Sequence, residues 1–158
     1  MRITKPSDEV MFKLLKDSIE YDLSIVKFTN KEKKNLQKDL ENIDQQLRKE
    51  LSWFKENPKT TRCYTINNVS LITSGVDGKK KEFFYIYCLH VLPEHRSKGY
   101  GKLLLDKIKQ EWRKHFFTLK LSLHVRQTNS SAIRFYEREG FYITKESGKS
   151  YEMIYKNK

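Results

Sequence analysis

The chain has 158 residues, 37% hydrophobic and 13% aromatic, and a formal charge of +12 from 32 basic and 20 acidic side chains. It is too apolar for a disordered chain and long enough to bury a core, so one domain over residues 1–158 is expected. No run approaches a membrane span, Met1 to Pro6 holds no apolar leader, and Cys63 and Cys88 make neither a disulfide framework nor a metal site; a cytoplasmic protein with free buried thiols and no metal follows.

Taken in order, Arg2 to Pro6 predicts a short strand, and Ser7 caps a helix whose apolar face is Val10, Met11, Leu14, Leu15 and Ile19. Residues 30–57 predict one long helix, with Asn30 as its cap and a stripe of Leu36, Leu40, Ile43, Leu47, Leu51 and Phe54. The plain reading of that stripe is a core face with a solvated back. Its length also admits a far end that packs on a second copy, giving a homodimer, or that forms a lid. Arg62 to Ile66 and Val69 to Thr73 form a hairpin across Asn67-Asn68, and a turn at Val76-Asp77-Gly78-Lys79 leads to a third strand, Phe83 to Val91. Pro93 ends that strand. From Lys102 the apolar period becomes helical, through Leu103, Leu104, Ile108 and Trp112. Phe116 to Val125 alternates as a half-buried strand. Asn129 starts a helix that Gly140 ends, and Phe141 to Lys145 with Tyr151 to Tyr155 closes the chain as a hairpin.

Between the third strand and its helix lies Arg96-Ser97-Lys98-Gly99-Tyr100-Gly101-Lys102. Two glycines let the backbone aim successive N–H groups into one concavity, and the helix start adds unpaired donors and a positive dipole end. Arg96, Lys98 and Lys102 add full charges, so the loop predicts a pyrophosphate cradle; the bland alternative is an ordinary turn with surface charges. Two other phosphate loops are excluded. A Walker A loop needs Ser or Thr where Leu103 stands and glycine where Arg96 stands, and the dinucleotide fingerprint needs a small residue where Leu104 stands.

The segment Val91 to Leu104 resembles the acetyl-CoA motif of the GNAT superfamily of N-acetyltransferases, Arg/Gln-x-x-Gly-x-Gly/Ala. Asn129 to Phe141, running Asn-x-x-Ala-x-x-x-Tyr-x-x-x-Gly-Phe, resembles that family's second signature. Both occur in order with a strand between them. The resemblance covers roughly Lys81 to the C-terminus; the first half matches only in layout. It implies an α/β (α+β) fold with a mixed, mostly antiparallel central sheet of six to seven strands flanked by helices. Residues 1–60 would form the acceptor side and 61–158 the acetyl-CoA-binding core.

The resemblance also implies roles. Leu89, His90 and Val91 would pair with the pantetheine arm of acetyl-CoA as an added strand, the Val91 N–H facing the thioester oxygen. The loop from Arg96 through Ser97, Lys98, Gly99, Tyr100 and Gly101 to Lys102 would hold the pyrophosphate. Asn129 would bond the pantetheine region. Tyr136 would act as general acid toward the leaving sulfur. Several family members carry a glutamate five residues before the asparagine; here that position is His124, the first candidate base, with His90 the second. Either histidine has the alternative of a hydrogen-bonded core residue. Tyr21, Asp22 and Phe28 are candidate contacts for an amine-bearing acceptor that the sequence does not identify. Part of the positive charge would serve the coenzyme's phosphates. Two other function classes remain beside the enzyme: a non-catalytic acyl-CoA-binding module, and a basic nucleic-acid-associated protein. The last is the least favoured, because the lysines interleave with acids and no groove-reading motif is present.

Overall fold

The computed structural model describes residues 1–24, 30–77 and 81–157, without the side chains of Asp22 and of residues 30–41. The proposed contacts of Asp22 and Phe28, the Asn30 cap, the Leu36 and Leu40 end of the long stripe and the Gly78-Lys79 half of one turn therefore lie outside the described residues.

The elements run β1 (Ile3–Thr4), α1 (Asp8–Ser24), α2 (Asn30–Glu56), β2 (Thr61–Ile66), β3 (Ser70–Val76), β4 (Phe83–Val91), α3 (Tyr100–His115), β5 (Lys120–Arg126), α4 (Ser130–Arg138), β6 (Phe141–Ser147) and β7 (Ser150–Tyr155). The seven strands form one sheet in the order β1-β2-β3-β4-β5-β7-β6. Among the described pairs only β4 and β5 run parallel, with α3 as the crossover. This is the mixed, mostly antiparallel sheet flanked by helices that the sequence predicts.

Local chemistry accounts for most boundaries. Ser7 caps α1 as expected, its Oγ accepting the Val10 N–H at 3.3 Å. Asn67 and Asn68 sit at φ 51° and 54°, the two left-handed positions of a type I′ turn. Two boundaries differ from expectation. The predicted strand at Phe116 begins only at Lys120, because Phe116 ends α3, its N–H donating to the Trp112 carbonyl. Its ring stacks on Phe84 at 4.3 Å instead of joining an alternating strand. Leu103, predicted to face inward, is 38% exposed. The buried face of α3 is Leu104, Leu105, Ile108 and Trp112, and a residue one position earlier is turned about 100° away from it.

The sheet is covered on both faces. One holds Ile72, Phe84, Ile86, the buried face of α3, Tyr136 and Phe141. The other holds Met11, Leu14 and Leu15 of α1 and Leu47 and Phe54 of α2 against Leu71. The described part of the α2 stripe, from Ile43 to Phe54, is thus core, as the plain reading expects. β3 is buried along nearly its whole length because neighbouring residues face two different cores.

Candidate functional site

Strands β4 and β5 pair only from Phe83–Ile86 against Lys120–Leu123. Beyond that point they part. The cause is visible in the β3–β4 register, where Thr73 opposes Cys88 but Ser74 opposes Ile86, leaving Tyr87 as an extra, bulged residue. The ladder to β5 stops at this bulge, its last pair being Ile86 with Leu123. The gap opens at the carboxyl ends of the two parallel strands, the usual ligand position in such a sheet. It is a cleft of about 660 Å³.

One end of the cleft is backbone. After β4, a 3-10 turn over Pro93–His95 leads to Arg96, whose N–H donates to the Pro93 carbonyl. Ser97 then takes φ 59° and Gly99 φ 82°, two left-handed residues on either side of Lys98. Such alternation makes successive N–H groups converge, an anion nest. Gly99 is also the cap of α3 and offers no side-chain bond to it, so the first amides of the helix stay available at its positive end. Gly101 differs from Gly99: a Cβ there would meet Phe135 and Val91 at 3.7 and 3.9 Å, ordinary contact distances. Its backbone is not left-handed, and the site has room for a Cβ.

The charged side chains around this loop divide. The Arg96 guanidinium folds back, its Nε donating to the Val91 carbonyl at 3.0 Å and its plane lying 4.0 Å over the Tyr21 ring. It braces the loop against α1. Lys98 is exposed and outside the cleft lining. Lys102 lines the cleft while its Nζ donates to Asp106 at 3.0 Å and Glu139 at 3.4 Å; the Asp106 bond raises its pKa. Arg126 and Arg138, not singled out from the sequence, bring two more guanidinium side chains to the lining.

Along the side of the cleft, Asn129 caps α4, its Oδ1 accepting the Ala132 N–H at 3.2 Å. The carbonyl half of the amide is thereby used and the NH2 half remains to donate to a ligand. About two turns further on, Tyr136 lines the cleft at 8% exposure, held edge-on between Phe135 and Phe141. The structure thus brings Leu89, His90, Val91, Arg96, Ser97, Gly99, Tyr100, Gly101, Lys102, His124, Asn129 and Tyr136 to one cleft and leaves Lys98 outside it.

The two histidines sit differently. His90 is buried, and its Nε2 lies 2.6 Å from the Asp17 carboxylate of α1. Asp17 has no sequence signal of its own; the contact exists because α1 crosses the end of β4. His124 is 43% exposed, its ring set edge-on to Tyr85 at 5.3 Å and its Nε2 3.7 Å from Glu152 on β7. The β5–β7 register places His124 opposite Glu152. Tyr85, Tyr87 and Glu152 were missed in the sequence, where Tyr85-Ile86-Tyr87 looked only like good strand residues. Burial, and then the Glu152 charge, push the Tyr85 phenol well above its ordinary pKa. Burial, then Asp77 and Glu50, push the Tyr87 phenol up to about 12. Anionic carboxylates close enough to do this make a locally negative field on a positively charged protein.

The described residues contain no cluster of metal-ligating side chains and no helix long and apolar enough to cross a membrane. The chain resembles N-alpha-acetyltransferase 60 of Xenopus tropicalis, 43% identical over 116 residues that cover 58% of this chain and 48% of that protein. It therefore spans about half the length of that curated relative. Among solved structures it resembles the PaiA N-acetyltransferase of Thermoplasma acidophilum in complex with coenzyme A. That likeness has a TM-score of 0.74 at 19% identity, covering 99% of this chain and 98% of that one. It also resembles Arabidopsis thaliana Naa50 bound to the bisubstrate analogue CoA-Ac-MVNAL, with a TM-score of 0.58 at 20% identity, covering 97% and 95%. At those identities the likeness concerns the fold. The model of the acetyltransferase (GNAT) family matches residues 32–141, well over half of the sequence, and the chain belongs to that family.

Proposed function

We propose that this chain moves an acetyl group from acetyl-CoA to a primary amine by direct attack within a ternary complex, the whole chain working as one acetyltransferase domain. The observation that carries the reading is the continuity of the cleft. It runs from the nest at Ser97 and Gly99, along β4 beyond its last pair with β5, to Tyr136 and His124.

The site fits an acyl-CoA in each part. The pyrophosphate meets the N–H groups from Ser97 to Gly101 at the start of α3. The pantetheine arm, an extended chain with two amides, pairs with Leu89 to Val91 as an added strand, and the Asn129 NH2 donates to it. The thioester carbonyl meets the Val91 N–H, which stabilises the oxyanion that forms on attack. His124 accepts the ammonium proton of the acceptor, directly or through water, and Glu152 with Tyr85 orients its ring. Tyr136 donates its phenolic proton to the sulfur as the C–S bond breaks, and the phenol recovers a proton from solvent. His90 is the weaker base candidate, because its short contact with Asp17 already occupies it. The reaction requires no metal.

An acceptor screen with free-thiol detection tests the reading. Small amines and peptides with free N-termini belong in it, the latter because relatives named for N-alpha-acetylation are among the proteins this chain resembles. Thiol release with a matching acetylated product is the expected result. Coenzyme A binding without any acetylated product would instead make the chain an acyl-CoA-binding module. The reading sets the reaction in the cytoplasm, where acetyl-CoA is available. A homodimer through the far end of α2 is the one assembly it includes, and a monomer in light scattering removes that assembly.

A further inference from the structure

Behind Tyr87 lies a second, more open pocket of about 490 Å³, lined by Glu50, Trp53, Phe54 and Tyr87. Its walls are three aromatic rings at steep mutual angles. Trp53 and Phe54 stand 5.2 Å apart at 77°, Trp53 and Tyr87 5.8 Å apart at 89°, and Phe54 and Tyr87 6.2 Å apart at 89°. A pocket lined by aromatic rings is a space that can receive an organic cation. The fourth wall is a carboxylate. Glu50 is half-buried and makes no ion pair or hydrogen bond among the described residues. Desolvation raises its pKa, so its anionic form lacks compensation there. An ammonium group would provide that compensation.

Tyr87 stands between this pocket and the catalytic cleft and lines both. The separation matters chemically. The nitrogen that attacks the thioester must lose its proton, and a carboxylate beside it would hold the proton on. A cation bound beyond Tyr87 can stay charged and anchor the molecule while a different nitrogen reacts. We propose that Glu50, Trp53, Phe54 and Tyr87 form a subsite for a second, non-reacting alkylammonium group of the acceptor. The proposal rests on the acetyltransferase reading above for its biological use, and on the pocket alone for cation binding.

Two experiments keep those dependencies apart. The first compares diaminobutane, diaminopentane and diaminohexane with the monoamine of the same chain length in steady-state acetylation. The best diamine should show kcat/KM about tenfold above its monoamine, the size of one partly desolvated ion and cation–π contact. Glu50→Gln and Trp53→Leu should erase that advantage by raising KM for the diamine at unchanged kcat, with the monoamine unaffected. Equal kcat/KM for diamine and monoamine in the wild type, or a diamine advantage that survives Glu50→Gln, overturns the subsite. The second experiment needs no acetyl transfer. Tetramethylammonium titrated into the protein should change tryptophan fluorescence saturably, and Glu50→Gln, shown folded by its melting curve, should abolish the change. A saturable signal without acetylation of any amine would leave the cage standing and remove the enzyme reading. Acetylation without the signal, including the case of a second copy seated on the pocket, would remove the cage alone.

Discussion

The Ser97 to Lys102 end of the cleft is built from backbone, and the Tyr87 to His124 end from side chains of β4 and β5, backed by Tyr85 and by Glu152 of β7, with Glu50 and Trp53 of α2 beyond them. On the proposed function the first meets a group common to every coenzyme A ester, for which contiguous residues suffice: two left-handed positions, an uncapped helix start and the edge of a strand. The second must suit one acceptor, and its groups lie far apart in the chain. Their electrostatics differ too. Lys102 stands at the loop end, whereas the carboxylates of Glu50 and Glu152 lie near Tyr87 and His124 at the other. The net charge of +12 conceals this polarity.

The largest expected effects fall where the two ends meet. Tyr136→Phe should lower kcat by about 100-fold or more, the usual range for a lost general acid, with little change in acetyl-CoA affinity by calorimetry. His124→Ala should lower kcat comparably. Full activity of either variant at every pH tested would move the chemistry elsewhere in the cleft. Next in size is a change of stability. Lys109 of α3 is buried and donates to the Glu139 carbonyl at 2.9 Å and carboxylate at 3.1 Å, fastening α3 to the end of α4. Removing one member of a buried pair costs about 3–5 kcal/mol when its partner is left alone. Lys102 also reaches Glu139, at 3.4 Å, so the partner keeps one cation. Lys109→Met should therefore cost nearer about 2 kcal/mol in denaturant unfolding. Because Tyr136 sits on α4, acceptor KM should shift with it more than acetyl-CoA binding does.

A smaller pair of variants separates the two glycines. Gly99→Ala places a Cβ on a left-handed residue at a cost of about 1–2 kcal/mol, so acetyl-CoA KM should rise roughly tenfold. Gly101→Ala meets only ordinary contacts and should leave KM within about twofold. Equal losses would show that close approach, rather than backbone handedness, shapes the cradle. This contrast also explains what could be read from the sequence. A left-handed backbone favours glycine, as at Gly99, and a helix start has a local signature, so the loop was legible from its residues, while Asn129 and Tyr136 were legible through the resemblance to the family's second signature. The Tyr87 bulge was not, because it arises from the β3–β4 register and no residue type announces it. Nor were Asp17 beside His90 and Glu152 beside His124, because each pairing depends on how distant elements cross. Leu103 and Phe116 were misplaced for a milder reason: apolar period alone does not distinguish a core face from a neighbouring position, or a strand start from a helix cap.

The smallest expected effect is one that should leave both ends of the cleft untouched. Glu111 of α3 accepts from Lys107 Nζ at 2.8 Å and from Arg62 Nε at 2.9 Å, tying the crossover helix to β2. Burial pushes its carboxyl upward, but the hydrogen bonds from Lys107 and Arg62 outweigh this and bring it down to about 2. A depressed carboxyl pKa contributes stability above the unfolded value, near ~4.3, and the contribution is lost as pH falls through about 2. Solvent reaches this cluster, so about 1 kcal/mol is the size to expect. Glu111→Gln should lower the melting temperature by a few degrees at pH 7 and by less as the pH drops toward 2. KM for acetyl-CoA and for the diamine should both stay as in the wild type. If either KM moved, the sheet would be transmitting strain from β2 to the cleft, and the division between a backbone-built end and a side-chain-built end would no longer describe separable units.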